Sequence, residues 1–357
     1  MIASKRVSAL VAHQFNPLAD PRWADFLKRH PGSSIFHSAA WLEALRRTYQ
    51  YEPLAFSTSP PESELENALV LCRVGSWITG HRLVSLPFSD HCEPLLDQQD
   101  LQVILPTLEG DLIREGLRYI ELRPPHMFEA CSSLFHSTYT YCGHQLDLRP
   151  DLDALFRNFH KDSMQRKIRR AEREGLTYEE GRSAALLNDF YRLLKLTRRR
   201  HRVPPQPKRW FQNLIDCLGE TLKIRVAFKD SRAVAAILTL KHKDTLFYKY
   251  GCSDAQFNNL GGMQLLFWRS IQESKDAGLR VFDLGRSDLE STGLITFKDR
   301  WGATRSTLTY ERLSSSPRFG YRSGGAGWAE GVAKRALAHL PDRVLCAVGD
   351  LVYRHIG

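Results

Sequence analysis

The residues best suited to chemistry lie between Gly278 and Gly302. Val281–Leu284 is a short apolar run that carries one acid, Asp283, and ends at Gly285. A polar loop is expected next, and Phe297-Lys298 then leads into Arg300-Trp301-Gly302. A lysine fixed among aromatics can stabilise the negative charge that builds on an acyl oxygen when an amine attacks an ester or thioester. Lys298 is the candidate for that role, with Phe297 as its flank. The other reading of Lys298 is a side chain snorkelling from a strand edge, its ammonium in water.

The attacking amine must also lose a proton, which a carboxylate or histidine can accept. Asp90 and His91 in the first half are candidates, as are Asp283 and Asp288 in the second. Asp283 sits in an apolar run and suits a fixed structural partner. Asp90 could equally cap its loop. Much of the rate could come from positioning two reactants. The 13 histidines show no H-E-x-x-H or paired ligand spacing, so no metal site is expected. No P-loop and no G-x-S-x-G elbow is present.

The donor needs a cradle. A hairpin followed by Gly261-Gly262 opens a helix, and amides at a helix start bind anions. Gly251, Asn258, Gly261 and Gly262 are therefore candidate donor contacts, although the paired glycines could simply ease a tight turn. Arg166, Arg169 and Arg170 lie on a basic helix that stops at Gly175. Such a surface suits a phosphate backbone; it also suits a solvated face partly balanced by Glu172 and Glu174. A second cluster runs Arg198 to Arg202. Arg123, Arg286 and Trp301 are candidate acceptor contacts in a groove between two halves.

The halves are suggested by an echo. Gly116-Leu117-Arg118-Tyr119-Ile120-Glu121-Leu122 repeats as Gly278-Leu279-Arg280-Val281-Phe282-Asp283-Leu284, identical at four of seven positions. Each copy follows a hairpin and a helix: strands near 68–73 and 83–87 with a helix over 99–115, then strands near 233–240 and 245–250 with a helix over 263–277. Three further helices are expected between 152 and 218. The fold class is α/β (α+β), two mixed-sheet units in tandem with inserted helices. Residues 1–150 form the first domain, 151–313 the second, and 314–357 a basic amphipathic tail. Trp328, Val332, Ala336 and Leu337 make the tail's stripe, and Val344–Tyr353 is apolar enough to pack or to touch a membrane.

The chain's 357 residues suit two domains, and 43% hydrophobic with 25% charged residues is ordinary for a folded protein. A net charge of +10 favours polyanions: nucleic acid, nucleotide-linked substrates or an acidic membrane. Seven cysteines without a C-x-x-C pair point to a reduced compartment. Neither a signal peptide nor a membrane span is apparent. A cytoplasmic location is expected, with peripheral contact at the inner membrane face left open.

The ordered set of motifs resembles the FemABX-like transferases, a branch of the GNAT superfamily. It comprises Tyr250-Gly251-Cys252-Ser253-Asp254, Gly261-Gly262 with the helix to Trp268, Phe282-Asp283-Leu284-Gly285, Gly293-Leu294 and Phe297-Lys298 to Trp301-Gly302. The basic helix Arg166–Gly175 and the loop Leu86-Pro87-Phe88-Ser89-Asp90 belong to it too, so the resemblance spans about residues 30 to 313. It implies two GNAT-like domains and no tightly bound cofactor. It also implies transfer of an aminoacyl or acyl group to an amine of a peptidoglycan or exopolysaccharide precursor. Lys298 matches the functional Phe-Lys pair. The donor would be aminoacyl-tRNA or acyl-CoA, and DNA is not expected as a partner. The usual GNAT pyrophosphate pattern has Arg or Gln, two residues, Gly, one residue, Gly or Ala; here Asn258, Gly261 and Met263 stand there, and only the glycine fits. The long coiled-coil arm of some members is missing. Two other readings stand beside this one: an acyl-CoA-dependent acetyltransferase of polysaccharide biosynthesis, and a non-catalytic RNA- or membrane-associated binding module.

Overall fold

The G-L-R echo proves to be a repeated hydrogen-bond pattern. A computed structural model describes residues 11–126, 135–314 and 341–356. Strand β1 (His13–Phe15) and helices α1 (Arg22–Arg29) and α2 (Ala39–Tyr49) precede β2 (Glu52–Ser57). The hairpin β3 (Leu69–Val74) and β4 (Arg82–Val84) leads to α3 (Gln98–Arg114), and β5 (Ile120–Leu122) returns parallel to β4. The long strand β6 (Phe135–Asp147) follows. Next come α4 (Leu152–Asn158), α5 (Arg166–Arg173), β7 (Thr177–Gly181), α6 (Ala184–Arg200) and α7 (Lys208–Leu218). Strand β8 (Leu222–Lys229) pairs with β9 (Arg232–His242), which makes a hairpin with β10 (Thr245–Ser253). Helix α8 (Gly262–Asp276) then leads to β11 (Val281–Asp288), parallel to β10. Helix α9 (Thr292–Asp299), β12 (Thr304–Leu313) and α10 (Asp342–Tyr353) complete the described elements.

Both copies of the echo end a helix in the same way. Gly116 and Gly278 take left-handed backbone, φ 59° and 72°. The Leu117 N–H donates to the Leu112 carbonyl at 3.0 Å, and the Leu279 N–H to the Ser274 carbonyl at 2.8 Å. These are Schellman closures, which need a residue that tolerates positive φ. The Arg118 and Arg280 N–H groups then donate to the turns of the two hairpins, at His81 and Asp244. The shared sequence therefore ends a helix and aims a strand.

Among the described residues, twelve strands make one mixed sheet in the order β1-β2-β3-β4-β5-β12-β6-β11-β10-β9-β8-β7. The halves exchange strands at its centre: β6, from the first half, lies between β11 and β12, while β12 pairs with β5. Trp41 on α2 meets Trp210 on α7 at 5.3 Å, edge to face, which joins the halves through the core as well.

Several expectations change. The polar loop before Phe297 is in part helix α9. Thr292, Gly293, Ile295 and Thr296 are weak helix formers, and the helix is anchored by burying Ile295 and Lys298. Lys298 is thus on a helix, not a strand edge. Gly251–Ser253 belong to β10, and a 3-10 helix covers Ala255–Leu260. Strands β1, β2, β6, β7, β8 and β12 were not foreseen. The stripe Trp328, Val332, Ala336 and Leu337 lies outside the described residues. Helix α10 rests on both halves: Asp342 pairs with Lys195 and Arg199 of α6, at 2.7 and 2.6 Å, and Tyr51 Oη donates to the Tyr353 carbonyl at 3.0 Å.

Candidate active site

Strands β10 and β11 pair only where Thr245–Phe247 face Val281–Asp283. Beyond that point they part, and each carries an irregularity, at Tyr248–Tyr250 and at Asp283–Arg286. Such bulges bend a strand and re-aim its side chains. The wedge so formed is where the chemistry-bearing residues meet.

Lys298 enters from α9 and is only 2% exposed. Its ammonium donates to the carbonyls of Gly285 and Arg286, both at 2.9 Å. Burial pushes its pKa down to about 8, although Asp90 and Asp283 pull the other way. An ammonium has three donors, so one N–H remains beyond these two bonds. Phe297, the preceding residue, packs on Phe267 and Trp301 instead, at 5.4 and 6.2 Å.

Asp90 reaches the wedge from the loop after β4. The Lys249 ammonium donates to its carboxylate at 2.8 Å. Burial raises the Asp90 pKa, but Lys249 and Arg286 outweigh it and hold the carboxyl below its usual value. Gly285 must be glycine here: φ is +69°, and a Cβ would stand 3.0 Å from the Asp90 carboxylate. The loop itself is strained, with Leu86 and Phe88 at φ 52° and 62°. Arg123 fixes it by donating to the Leu86 carbonyl at 3.0 Å, and Tyr310 Oη donates to the Asp90 carbonyl at 2.8 Å.

Asp283 and Glu121, the echoed carboxylates, are both structural in geometry. Asp283 accepts from the Gly285 N–H at 2.7 Å and Gln145 at 3.2 Å, and it pairs with His91 at 2.9 Å. Burial works against the charge on both partners, yet each holds the other ionised: His91 lies above its usual pKa and Asp283 below. Glu121 sits between Arg123 and Arg312, at 2.8 and 2.7 Å.

On the far side of Phe297 is a cleft of about 200 Å³, lined by Lys167, Ser253, Asn258, Gly262, Gln264 and Phe297 among others. Of the expected donor contacts, Asn258 and Gly262 face it. Gly261 stands behind: φ is +84°, and a Cβ would lie 2.3 Å from the Lys167 carbonyl, so this glycine lets α5 approach the start of α8. Gly251 leaves room for Tyr248, whose Oη would be 1.9 Å from a Cβ there. Both glycines shape the site without lining the cleft. On α5, Arg166 pairs with Asp162 at 3.1 Å, Arg169 lies 5.3 Å over Phe156, and Arg170 reaches Glu174 at 3.6 Å. These arginines are outside the cleft, and their neighbour Lys167 is in it.

Arg286 is in the wedge, donating to Tyr310 Oη at 2.7 Å. Trp301 is a correction: it is fully buried, 5.2 Å from Phe267 and 4.9 Å from Phe159, so it cannot touch an acceptor. It supports the helix that carries Lys298. Sequence reasoning missed Lys249, Tyr310 and Gln145. The Tyr248-Lys249-Tyr250 run was a usable signal, because a lysine between two tyrosines in an otherwise apolar hairpin needs a partner.

Residues 158–298 match the acetyltransferase (GNAT) domain family. The chain is similar to the UDP-N-acetylmuramoylpentapeptide-lysine N(6)-alanyltransferase of Weissella viridescens, 28% identical over 136 residues. That match covers 37% of this chain and 40% of the relative, under half of its length. The fold is that of the FemX crystal structure, with TM-score 0.62, 14% identity, and 84% of this chain and 96% of that one covered. It also resembles a tandem GNAT protein of the clavulanic acid biosynthesis pathway, with TM-score 0.54 and 10% identity over 86% of this chain and 98% of that one. The mixed sheet is therefore a tandem GNAT-like architecture, and Lys249, Asp283, Gly285, Arg286 and Lys298 of the wedge lie within the matched residues, whereas Asp90, Gln145 and Tyr310 come from outside them.

Proposed function

For a chain that carries a GNAT-type transferase domain over residues 158–298, we propose an N-acyltransferase that moves an aminoacyl or acyl group to an amine of a cell-envelope precursor. The observation that carries this reading is Lys298: a buried ammonium, fixed by two carbonyls, with one N–H to spare beside Asp90. The acyl donor occupies the cleft beyond Phe297, and its carbonyl oxygen points to Lys298. The acceptor amine approaches from the wedge, where ionised Asp90 orients it, with Arg123 and Arg286 nearby. The amine attacks the acyl carbon. The bond to the donor's ester oxygen or thioester sulfur breaks, and the amine's proton passes to that leaving atom. Lys298 stabilises the oxyanion formed on the way.

An aminoacyl-tRNA donor is favoured by similarity to the alanyltransferase and by the basic surface of α5, on which Arg166, Arg169 and Arg170 would meet the RNA. An acyl-CoA donor is the second reading, and the incomplete pyrophosphate pattern at Asn258, Gly261 and Met263 weighs against it. Transfer assays with charged tRNA and with acetyl-CoA, each using a lysine-containing envelope precursor, separate the two. Turnover with the coenzyme alone sinks the tRNA-dependent version. If RNA binds but neither donor is consumed, and Lys298→Met changes nothing, the protein is a binding module instead.

No helix among the described residues is long and apolar enough to cross a membrane. We place the work in the cytoplasm, at the membrane face where envelope precursors are built. Exposed Trp77, Ile78, Leu351 and Ile356 support peripheral contact, because tryptophan and aliphatic side chains at a basic surface suit the interface. Trp77→Ser lowering co-sedimentation with anionic vesicles supports this contact; unchanged binding removes it.

A further inference from the structure

Asp90 is carried by a loop whose shape is imposed from outside the wedge. Leu86 and Phe88 both take left-handed backbone, φ 52° and 62°, which bulky side chains adopt only where their surroundings hold them to it. The hydrogen bonds of the loop belong to its other residues. The Leu86 carbonyl accepts from the Ser89 N–H at 3.1 Å, from Ser89 Oγ at 2.7 Å and from Arg123 at 3.0 Å. The Asp90 carbonyl accepts from Tyr310 at 2.8 Å. Phe88, two residues before Asp90, is held through its ring.

That ring sits in a box of four others. Tyr49 is 4.9 Å away, Trp210 5.8 Å, Tyr353 6.0 Å and Tyr51 6.4 Å. Tyr49, Tyr51 and Trp210 are buried core residues, and Tyr353, on α10, is the half-buried outer wall. The wall is itself fixed. Tyr353 Oη donates to the Pro204 carbonyl at 3.2 Å. Tyr51 Oη lies 3.0 and 3.1 Å from the Tyr353 and Arg354 carbonyls. Just past α10, the His355 carbonyl accepts from Thr79 Oγ1 and from Arg82, both at 2.8 Å. Gly349 lets the helix lie against Pro205, whose carbonyl a Cβ at that position would strike. The link from α10 to the wedge runs through Phe88.

We propose that α10 is a positioning element for Asp90, with Tyr353 as its working residue. Tyr353 closes the ring box on Phe88, Phe88 keeps its left-handed turn, and the turn delivers the Asp90 carboxylate to Lys249. Without the outer wall, Phe88 is free to leave the box and to relax toward the broadly allowed backbone regions. Asp90 then swings off its 2.8 Å bond to Lys249. A misplacement of about 1 Å near reacting groups costs up to about a hundredfold in rate. The consequence for catalysis rests on the transferase reading, in which Asp90 orients the acceptor amine; the hold on the loop does not.

Hydrogen–deuterium exchange of the full chain reads the loop without turnover, because the Ser89 and Cys92 amides are bonded to the Leu86 and Arg123 carbonyls. Tyr353→Leu should speed exchange across residues 86–92 by about tenfold and leave β5 unchanged. Tyr353→Phe, which keeps the ring, should behave as wild type. Asp342→Asn cuts the ion pairs at the other end of α10; it should lower the melting temperature and leave the loop protected. Phe88→Leu should free the loop as Tyr353→Leu does, and the double variant should lose nothing further, since the two act in series. Unchanged exchange in Tyr353→Leu, an equal loss in Asp342→Asn, or additive losses in the double variant overturns the proposal. In the transfer assay, Tyr353→Leu should lower kcat/KM for the precursor by about tenfold or more, with the KM for the donor unmoved. A freed loop with unchanged turnover keeps the positioning and sinks the part given to Asp90 in transfer. No turnover by wild type counts against the transferase reading alone.

Discussion

Replacing Lys298 by methionine removes the ammonium and keeps a side chain of similar length. If the ammonium stabilises an oxyanion, transfer should fall by about 10²–10³-fold, while the melting temperature moves by only a few degrees. The role also has a pH signature. Lys298 acts when protonated, and its pKa is pushed down to about 8, so kcat/KM should fall as pH rises through that value. The residual activity of Lys298→Met should lack this alkaline limb; a limb that persists assigns the titration to another group. The His91–Asp283 pair makes a different prediction, on stability. His91 is raised above its ordinary 6.5, so its contribution is complete below 6.5 and is lost as pH climbs through the folded value. Asp283 is lowered from 3.8, so its contribution is complete above 3.8 and is lost only at lower pH. Stability should therefore decline on the alkaline side of 6.5. Asp283→Asn should cost about 3–5 kcal/mol, since it strands a buried histidine partner, and should flatten that slope. Urea unfolding across pH checks both points.

Two glycines separate backbone freedom from close packing at the level of elements. Gly278 has φ +72° with nothing within 4 Å of a Cβ, so Gly278→Ala should cost only the left-handed penalty, about 1–2 kcal/mol. Gly261 has a comparable φ and the Lys167 carbonyl in the way as well. Gly261→Ala must push α5 off α8 and should cost about 3 kcal/mol, with donor affinity falling too because Lys167 lines the cleft. Equal costs at the two positions would dismiss the packing argument. The same pair shows what could be read in the sequence. Gly278 was legible because its neighbours repeat at Gly116, and a C-cap is local. The role of Gly261 was not, since its partner lies 94 residues upstream. Helix α9 was hidden by poor intrinsic propensity, its helicity being set by burial of Ile295 and Lys298. Strand β6 was hidden by the polar residues His136, Ser137, Thr138 and Thr140 at its start, although Tyr139 and Tyr141 gave it a strand-like composition. Lys298 and Asp90 could be singled out from their surroundings, whereas Lys249 and Tyr310 gained meaning only when the wedge assembled around them.

The central strand exchange governs how the whole molecule should come apart. The division into residues 1–150, 151–313 and a tail, which we retain as a proposal, follows the echo. The hydrogen bonds do not follow it. Residues 151–313 expressed alone would lose β6, leaving β11 and β12 with open edges on both sides of a gap. Residues 1–150 alone would keep β6 with neither of its neighbours and would lose the β12 edge of β5. Exposed strand edges of this kind template aggregation. Each piece should therefore be insoluble or loosely packed, and co-expression of the two should restore a soluble complex with one cooperative melt. Removal of α10 should act more gently. Its ties to Lys195, Arg199 and Tyr51 bridge the halves from outside the sheet, so a chain ending at Ser314 should stay folded and melt several degrees lower. Two independent melts for the co-expressed pieces would show instead that each half closes its own sheet, and that the exchange at β6 and β12 adds no cooperativity.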